Sequence, residues 1–384
     1  MGREDKREQM LDLLHICLPH MHEQGALTTG RTFALRYVCK GMRDAVDELR
    51  LPVAVFFYPH LEKIAAGEVS RFEDAMLRNV LLCRLGMTRM RSSGAVRKLR
   101  LLSAIVAGLQ RRLQVTHLSL YSSVQYGGED SAMLAALLQQ CGGISHLDMP
   151  GNYMQSLYCP PLTHVKGGAD ASALTYVNLD RNKMGDEGAE GVAALLTRST
   201  RLTHLLLSQN GVTQLGAIVL AKALGGCSRL AHVDLSGNEM RNTGTVAVLG
   251  ALGRCKAMAY VDLRYNEIGV AGAKAVAGAV VQWAGLHTVR LGHNEVCNAG
   301  ARAVAAALLH CKQLKHLDMC CNRITGECVL PFSDVILHCT AFEKLQLHGN
   351  DIDAESMQQF LAQVCQMMLV PLSVGTRPQL RFSQ

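Results

Sequence analysis

Short runs of alternating apolar and polar residues recur along most of this chain, and an asparagine follows each run. The clearest run places Leu230, Val233 and Leu235 ahead of Asn238. Alternation with a period of two is the pattern of a short strand that buries one face. Successive asparagines are separated by 30 residues once and by 28 residues thereafter. They are Asn152, Asn182, Asn210, Asn238, Asn266, Asn294, Asn322 and Asn350.

The second half of each 28-residue unit has the apolar spacing of a helix. Val248 and Leu252 lie four residues apart, so they share one helix face, and Gly244 stands ahead of them. A small residue at that position lets the helix approach its neighbours closely. Each unit therefore predicts a strand, a turn and a helix. The asparagine is expected to satisfy buried backbone groups at the turn, where an unmet polar group costs about 1–3 kcal/mol.

An earlier and weaker copy contains Val115, Leu118 and Leu120, with Ser123 in the asparagine position, which makes nine copies. Identical units at a fixed period stack into a solenoid. The L-x-x-L-x-L-x-x-N strand, the 28-residue period and the glycine-led helix resemble the ribonuclease-inhibitor type of leucine-rich repeat. The resemblance implies an α/β solenoid shaped as a horseshoe, with parallel strands on the concave face and helices on the convex face.

The lattice divides the chain into three predicted parts. Residues 1–112 do not follow it and predict an α-helical N-terminal cap or a small helical module. Residues 113–365 form the solenoid, and residues 366–384 form a C-terminal cap and tail after a last helix near 356–368. The helices predicted in the N-terminal part cover residues 7–22, 31–51, 73–85 and 96–114.

Two stretches break the regular pattern. Residues 155–173 contain Pro160 and Pro161, which predict a loop that is either a partner-specific insertion or drift of the repeat. Residues 75–128 carry nine Lys or Arg and no acid, which exceeds the net charge of +7 for the whole chain. This basic segment is either a docking patch for an acidic partner or a solvated helix face. No aromatic residue lies between Phe72 and Tyr121, which argues against single-stranded nucleic acid.

Fourteen cysteines suggest a disulfide framework at first, but their positions favour packing. Cys227, Cys255, Cys311 and Cys339 fall on one 28-residue lattice, whose remaining point is Trp283. Side chains stacked one repeat apart do not face each other as a disulfide requires. Free cysteine behaves as a small buried hydrophobe. The sequence therefore predicts reduced structural cysteines, which favours a reducing compartment and a cytoplasmic protein.

Neither a metal site nor a cofactor site is predicted. The adjacent Cys320 and Cys321 have no second Cys or His pair at zinc spacing. The first ten residues are too charged for a secretory signal, and no run of 18 apolar residues exists, so we expect no membrane insertion.

The strand pattern identifies the side chains that line the concave face, because they occupy the positions between the leucines. One column is rich in His and Tyr, and the next is rich in Asp. Parallel strands about 4.8 Å apart spread such side chains in a row, whereas a metal or an acid–base pair needs convergent groups. We therefore predict no catalytic residue and expect contacts with a partner. The candidate contact residues are His204, His232, Asp234, Tyr260, Asp262, Arg264, Tyr265, Arg290, His316 and Asp318.

Part of the N-terminal region is similar to an F-box. Leu18-Pro19 precedes residues 35–43, LRYVCKGMR, and this order implies binding of an Skp1-type adaptor and a role as substrate receptor of a ubiquitin ligase. Residues 20–25 are too polar and too glycine-broken for the apolar first helix of an F-box, and Met42 stands where an aromatic residue is typical. An ordinary pair of capping helices is the alternative interpretation.

Ran GTPase-activating proteins are similar horseshoes of comparable length, and that similarity implies a small GTPase as partner. They typically end in a strongly acidic tail, whereas the tail Pro371–Gln384 contains two arginines and no acid. The interpretation that requires least is a non-enzymatic scaffold that binds a partner protein on its concave face. It needs only a rigid curved surface with varied polar side chains.

Overall fold

A computed structural model of the chain describes residues 52–57, 81–88, 117–121, 138, 144–152, 174–339, 341–369 and 381–382. Twelve parallel strands form one sheet in chain order, so each strand pairs with those of the preceding and following units. The strands are β1 (Pro52–Phe57), β2 (Leu81–Thr88), β3 (His117–Tyr121), β4 (His146–Asp148), β5 (Tyr176–Asn178), β6 (His204–Leu206), β7 (His232–Asp234), β8 (Tyr260–Asp262), β9 (Thr288–Arg290), β10 (His316–Asp318), β11 (Lys344–Gln346) and β12 (Arg381–Phe382).

A helix follows each strand from β5 to β11, and a short 3-10 helix at Gly326–Cys328 precedes one of them. None of the helices in the described part of the chain is both long and apolar enough to cross a membrane. The helices are α1 (Gly185–Leu196), α2 (Gln214–Leu224), α3 (Arg241–Leu252), α4 (Val270–Val280), α5 (Cys297–Leu308), α6 (Leu330–His338) and α7 (Ala354–Leu369).

The nine predicted strands are confirmed as β3 to β11. Residues 28 positions apart are direct partners across the sheet, as with His204, His232 and Tyr260. The middle residue of each strand from β4 to β11 is buried. A helix is wider than the strand spacing of about 4.8 Å, so stacked units must curve with the sheet inside. The predicted α/β solenoid, with strands on the concave face and helices on the convex face, is the fold observed.

The sheet extends beyond the nine predicted strands at both ends. β2 pairs with β3 in register, with Arg84 opposite His117, and β1 pairs with β2. The helix predicted over 73–85 is therefore wrong for residues 81–85. The alternation of Cys83, Leu85 and Met87 is that of a strand, and the open edge of β3 offers backbone groups to pair with. At the other end, β12 pairs with β11. The last predicted helix is confirmed as α7.

Several other predictions for the ends of the chain fall outside the described residues. They concern the remaining N-terminal helices, the F-box-like stretch and the loop at 155–173. The division at residues 112 and 365 stays a prediction.

The asparagines form a continuous ladder inside the stack, as predicted. The Nδ2 of Asn238 donates to the carbonyl oxygens of Leu207 (3.0 Å) and Leu235 (2.9 Å), which belong to two consecutive repeats. Its Oδ1 accepts from the backbone N–H groups of Asn210 and Val212, both at 3.1 Å. One buried amide thus satisfies four backbone groups at a turn where no sheet partner is available. Asn294 makes the corresponding bonds one face of the ladder further on.

The lattice cysteines pack in the core, which confirms their structural interpretation. Cys227, Cys255, Trp283, Cys311 and Cys339 are at most 1% exposed. Their thiols, and the Trp283 indole N–H, donate to carbonyl oxygens of the preceding repeat. Burial raises the pKa of the Cys227 thiol to about 11, which keeps it protonated and unreactive.

The helix glycines hold the convex layer together. A Cβ built at Gly244 would lie 2.7 Å from the Cβ of Ala217 on the preceding helix. Gly300 stands in the same relation to Ala273, also at 2.7 Å. A larger residue at either position would separate neighbouring helices, so the glycines set the spacing of the stack.

Candidate functional site on the concave face

Six aromatic rings stack across six consecutive strands of the concave face. The ring centroids of His117 and His146 are 4.0 Å apart, and those of His232 and Tyr260 are 3.9 Å apart with nearly parallel planes. The three intervening pairs are 5.3–5.7 Å apart. The spacing follows from in-register parallel pairing, which places equivalent side chains over one another. We name the set the ring column: His117, His146, Tyr176, His204, His232 and Tyr260.

The histidines at the centre of the ring column are neutral near pH 7. Partial burial lowers the pKa of His204 below its ordinary value of 6.5. The pKa of His232 is lowered by burial and by the neighbouring His204. Stacked neutral rings present an apolar and electron-rich strip, which suits planar or cationic groups of a partner.

Three carboxylates lie beside the ring column, and we name them the acid group: Asp148, Asp180 and Asp234. Burial raises the pKa of each above the ordinary value of 3.8. Ser119 donates its hydroxyl to Asp148 (3.1 Å), the Ser208 N–H donates to Asp180 (2.6 Å), and Ser236 donates to Asp234 (2.7 Å). Within the described residues, no Lys or Arg forms an ion pair with these carboxylates. The group therefore carries negative charge that neutral hydrogen bonds compensate only in part.

The carboxylate of the next repeat, Asp262, is fully compensated. It is 0% exposed and accepts from Arg264 Nε at 2.9 and 3.0 Å and from an Arg264 terminal nitrogen at 2.7 Å. Arg290 reaches Asp262 at 3.5 Å and the Tyr260 hydroxyl at 3.0 Å, with its guanidinium 5.4 Å from the Tyr260 ring centroid. The bidentate pair with Asp262 raises the pKa of Arg264 above its ordinary value. This arginine cluster holds its charged groups against each other.

The remaining predicted contact residues lie in three different settings. Asp318 is buried and accepts from the backbone N–H of Cys320 at 3.1 Å. His316 lies 3.7 Å from the carboxylate of Glu343, and burial lowers its pKa. Tyr265 lies in the turn after β8 rather than on the strand, has a φ of 56° and is 52% exposed. Its ring stacks on His293 with centroids 4.1 Å apart.

Of the ten predicted contact residues, four converge in the arginine cluster: Tyr260, Asp262, Arg264 and Arg290. His204 and His232 lie in the ring column, and Asp234 lies in the acid group. The prediction omitted Asp148 and Asp180. Asp148 shares the position of Asp234, while Asp180 comes from the position two residues further along the strand. The sequence signal was the absence of Lys and Arg from these positions between β4 and β7.

The comparisons with known proteins agree with this architecture. A sequence family described as Leucine Rich repeat matches residues 172–193 and 258–277. An internalin (InlF) from Listeria monocytogenes is 16% identical, with 89% of each chain covered and a TM-score of 0.51. The plant peptide hormone receptor RGFR1, solved in complex with RGF2, is 11% identical with a TM-score of 0.42, and the match spans 88% of this chain and 49% of that one. No curated protein sequence matches. The repeats are leucine-rich repeats, and their fold is a leucine-rich-repeat solenoid.

Proposed function

We propose that this protein is a non-enzymatic scaffold of the cytoplasm that binds a partner protein on its concave face. The assignment to the ribonuclease-inhibitor type rests on the 28-residue unit, in which α1 to α5 are regular helices of 11 or 12 residues. The ring column and the acid group support binding rather than catalysis, because they follow the repeat instead of breaking it.

The observation that carries the proposal is the pairing of stacked rings with uncompensated carboxylates. A cationic side chain placed over a ring gains a cation–π contact, and the same cation neutralises a neighbouring carboxylate. The raised pKa values of Asp148, Asp180 and Asp234 indicate that their charge is poorly solvated. A partner that brings Arg or Lys therefore relieves a cost that is already present in the free protein. We infer that the partner offers a basic segment.

The dimensions of the ring column suit an extended segment. Six strands at about 4.8 Å span roughly 24 Å from the first ring to the last. An extended chain covers about 3.4 Å per residue, so roughly seven residues fit along the column. Such a segment runs across the strands, and its alternate side chains face the rings and the carboxylates.

Quantitative affinity purification from cell lysate tests the proposal with three baits. The first is the native chain, and the second is D148N/D180N/D234N, which removes three negative charges from the concave face. The matched control, E190Q/D334N/E355Q, removes three charges from exposed positions on α1, α6 and α7. We expect partners that the native bait and the control retain and the concave variant loses. Equal recovery by all three baits contradicts binding through the acid group.

The same purification addresses the two other partners expected from the sequence. Recovery of an Skp1-type adaptor that depends on residues 1–50 would support the F-box interpretation. Recovery of a small GTPase would support the GTPase-activator interpretation, which a hydrolysis assay then tests.

A further inference from the structure

His293, Cys320 and Cys321 come together at the rim of the concave face, where β9 and β10 end. One possible ligand atom of each residue lies within 4.8 Å of the other two. Cys320 is 3% exposed, and the other two residues are half-buried. The cluster is separate from the ring column and the acid group, so the proposed protein contact does not use it.

The backbone explains how two adjacent cysteines present both thiols to one point. Neighbouring residues on an extended strand point to opposite faces. Cys321, however, has a φ of 50°, in the left-handed region, so the chain turns at this residue. His293 has a φ of 57° and occupies the same position one repeat earlier. The stacking of repeats therefore brings the imidazole of one turn beside the two thiols of the next.

Glycines leave the space into which the two thiols extend. A Cβ built at Gly292 would lie 2.6 Å from the Cys320 Sγ and 2.8 Å from a carboxylate oxygen of Asp318. A Cβ built at Gly349 would lie within the same short range of the Cys321 Sγ. Any other residue at either position would displace a thiol. Thiols, imidazole and the Asp318 carboxylate thus converge on space that the sequence keeps open.

We propose that His293, Cys320 and Cys321 bind a thiophilic divalent cation, Zn²⁺. Zinc bonds to sulfur at about 2.3 Å and to nitrogen at about 2.0–2.1 Å, so ligand atoms of a tetrahedral site lie roughly 3.5 Å apart. The observed separations require only side-chain rotations of about an ångström to close. On binding, each thiol loses its proton to water, and the two thiolate lone pairs and one imidazole lone pair form the bonds to the cation.

The surroundings of the cluster favour a cation. Asp318 is buried beside Cys320, and its negative charge together with burial raises the pKa of the Cys320 thiol to about 12. A divalent cation offsets that charge and displaces the thiol proton. Asp318 is also one candidate for the fourth ligand. His348 is the other, since its Nδ1 is buried without a hydrogen-bond partner among the described residues, one repeat after Cys320.

Metal titration of the full chain under reducing conditions tests this site. The purified protein is stripped with a chelator and titrated with Co²⁺, whose thiolate charge-transfer absorption reports sulfur ligation, and then with Zn²⁺ as competitor. We expect one equivalent of thiolate-bound Co²⁺ that Zn²⁺ displaces. His293→Ala, Cys320→Ser and Cys321→Ser should each lower the affinity at least tenfold.

Matched variants separate this site from the other thiols. Cys297→Ser and His310→Ala alter half-buried or exposed groups outside the cluster and should leave the titration unchanged. His293 is half-buried, so its substitution spares the core and keeps the test valid if Cys320→Ser impairs folding. Co²⁺ absorption that is identical in His293→Ala, Cys321→Ser and the native chain overturns the proposal. So does the absence of thiolate-bound Co²⁺ in the native chain.

Discussion

The two halves of the concave face are built on one framework and differ in how they treat negative charge. Between β4 and β7, Asp148, Asp180 and Asp234 accept hydrogen bonds from neutral serine groups. In the following half, Asp262 lies in a cluster with Arg264 and Arg290. The difference arises two residues after the aspartate, where Ser236 in one repeat is replaced by Arg264 in the next.

This difference separates a surface poised for a partner from one that is internally satisfied. In the arginine cluster the charges are neutralised within the protein, and a partner would have to compete with Arg264 for Asp262. In the acid group the carboxylates are partly buried without a cation, so binding a cation releases stored electrostatic cost. Position in the repeat alone therefore does not define a contact residue. Asp234 and Asp262 share one position and differ in function.

The asparagine ladder sets the baseline, because it is the same in both halves. Asn210→Ala and Asn266→Ala each strand several buried backbone groups, and we expect each to lower the free energy of unfolding by about 4 kcal/mol. Urea unfolding followed by circular dichroism measures both. A loss below about 1 kcal/mol in either variant would contradict the role of the ladder.

Removing one carboxylate from each half should give unequal losses. Asp262→Ala leaves Arg264 and Arg290 without their partner, and we expect a loss of about 3 kcal/mol after allowing for partial exposure of the arginines. Asp234→Ala removes only bonds from Ser236, and we expect about 1 kcal/mol or less. The same urea unfolding compares the two. Equal losses would remove the distinction between the halves.

The ring column should make stability fall on acidification. The pKa of His204 and of His232 is lowered in the folded chain, so above pH 6.5 both states are neutral and stability is complete. As the pH falls below 6.5, the unfolded chain takes up protons that the folded chain resists, and stability decreases. The acid group acts with the opposite sign, because its raised pKa values favour proton uptake by the folded chain.

H204Q/H232Q should therefore lose less stability between about pH 7.5 and 5.5 than the native chain. Thermal unfolding across this range measures the slope. The acid group is common to both proteins, so the difference between them reports the histidines. H287Q/H310Q changes two exposed histidines and serves as control. A slope in H204Q/H232Q identical to that of the native chain would show that the column does not resist protonation.

The sequence was sufficient for the framework because every repeat solves the same packing problem. The asparagine period predicted β3 to β11 and the ladder, and the 28-residue lattice of Cys227 and its equivalents predicted their burial. β2 was predicted as helix because its segment lacks the asparagine that marks the other strands. Its pairing with β3 depends on the edge that the solenoid creates, which local periodicity does not describe.

The site was less predictable because it depends on side-chain direction. Both Asp262 and Arg264 were named as contacts, but their mutual pairing required the rotamers of the arginines. The spacing rule applied to Cys320 and Cys321 considered ligands nearby in sequence. His293 lies 27 residues before Cys320 and reaches it only because consecutive turns stack with left-handed residues at equivalent positions.

Site-specific photocrosslinking tests most directly which face binds the partner. A benzophenone amino acid at Leu206 places the probe on β6, amid the acid group, and the same probe at Lys274 on α4 marks the convex face. The account predicts a crosslinked partner from Leu206, absent from Lys274 and lost in D148N/D180N/D234N. A partner captured from Lys274 and not from Leu206 would contradict binding on the concave face.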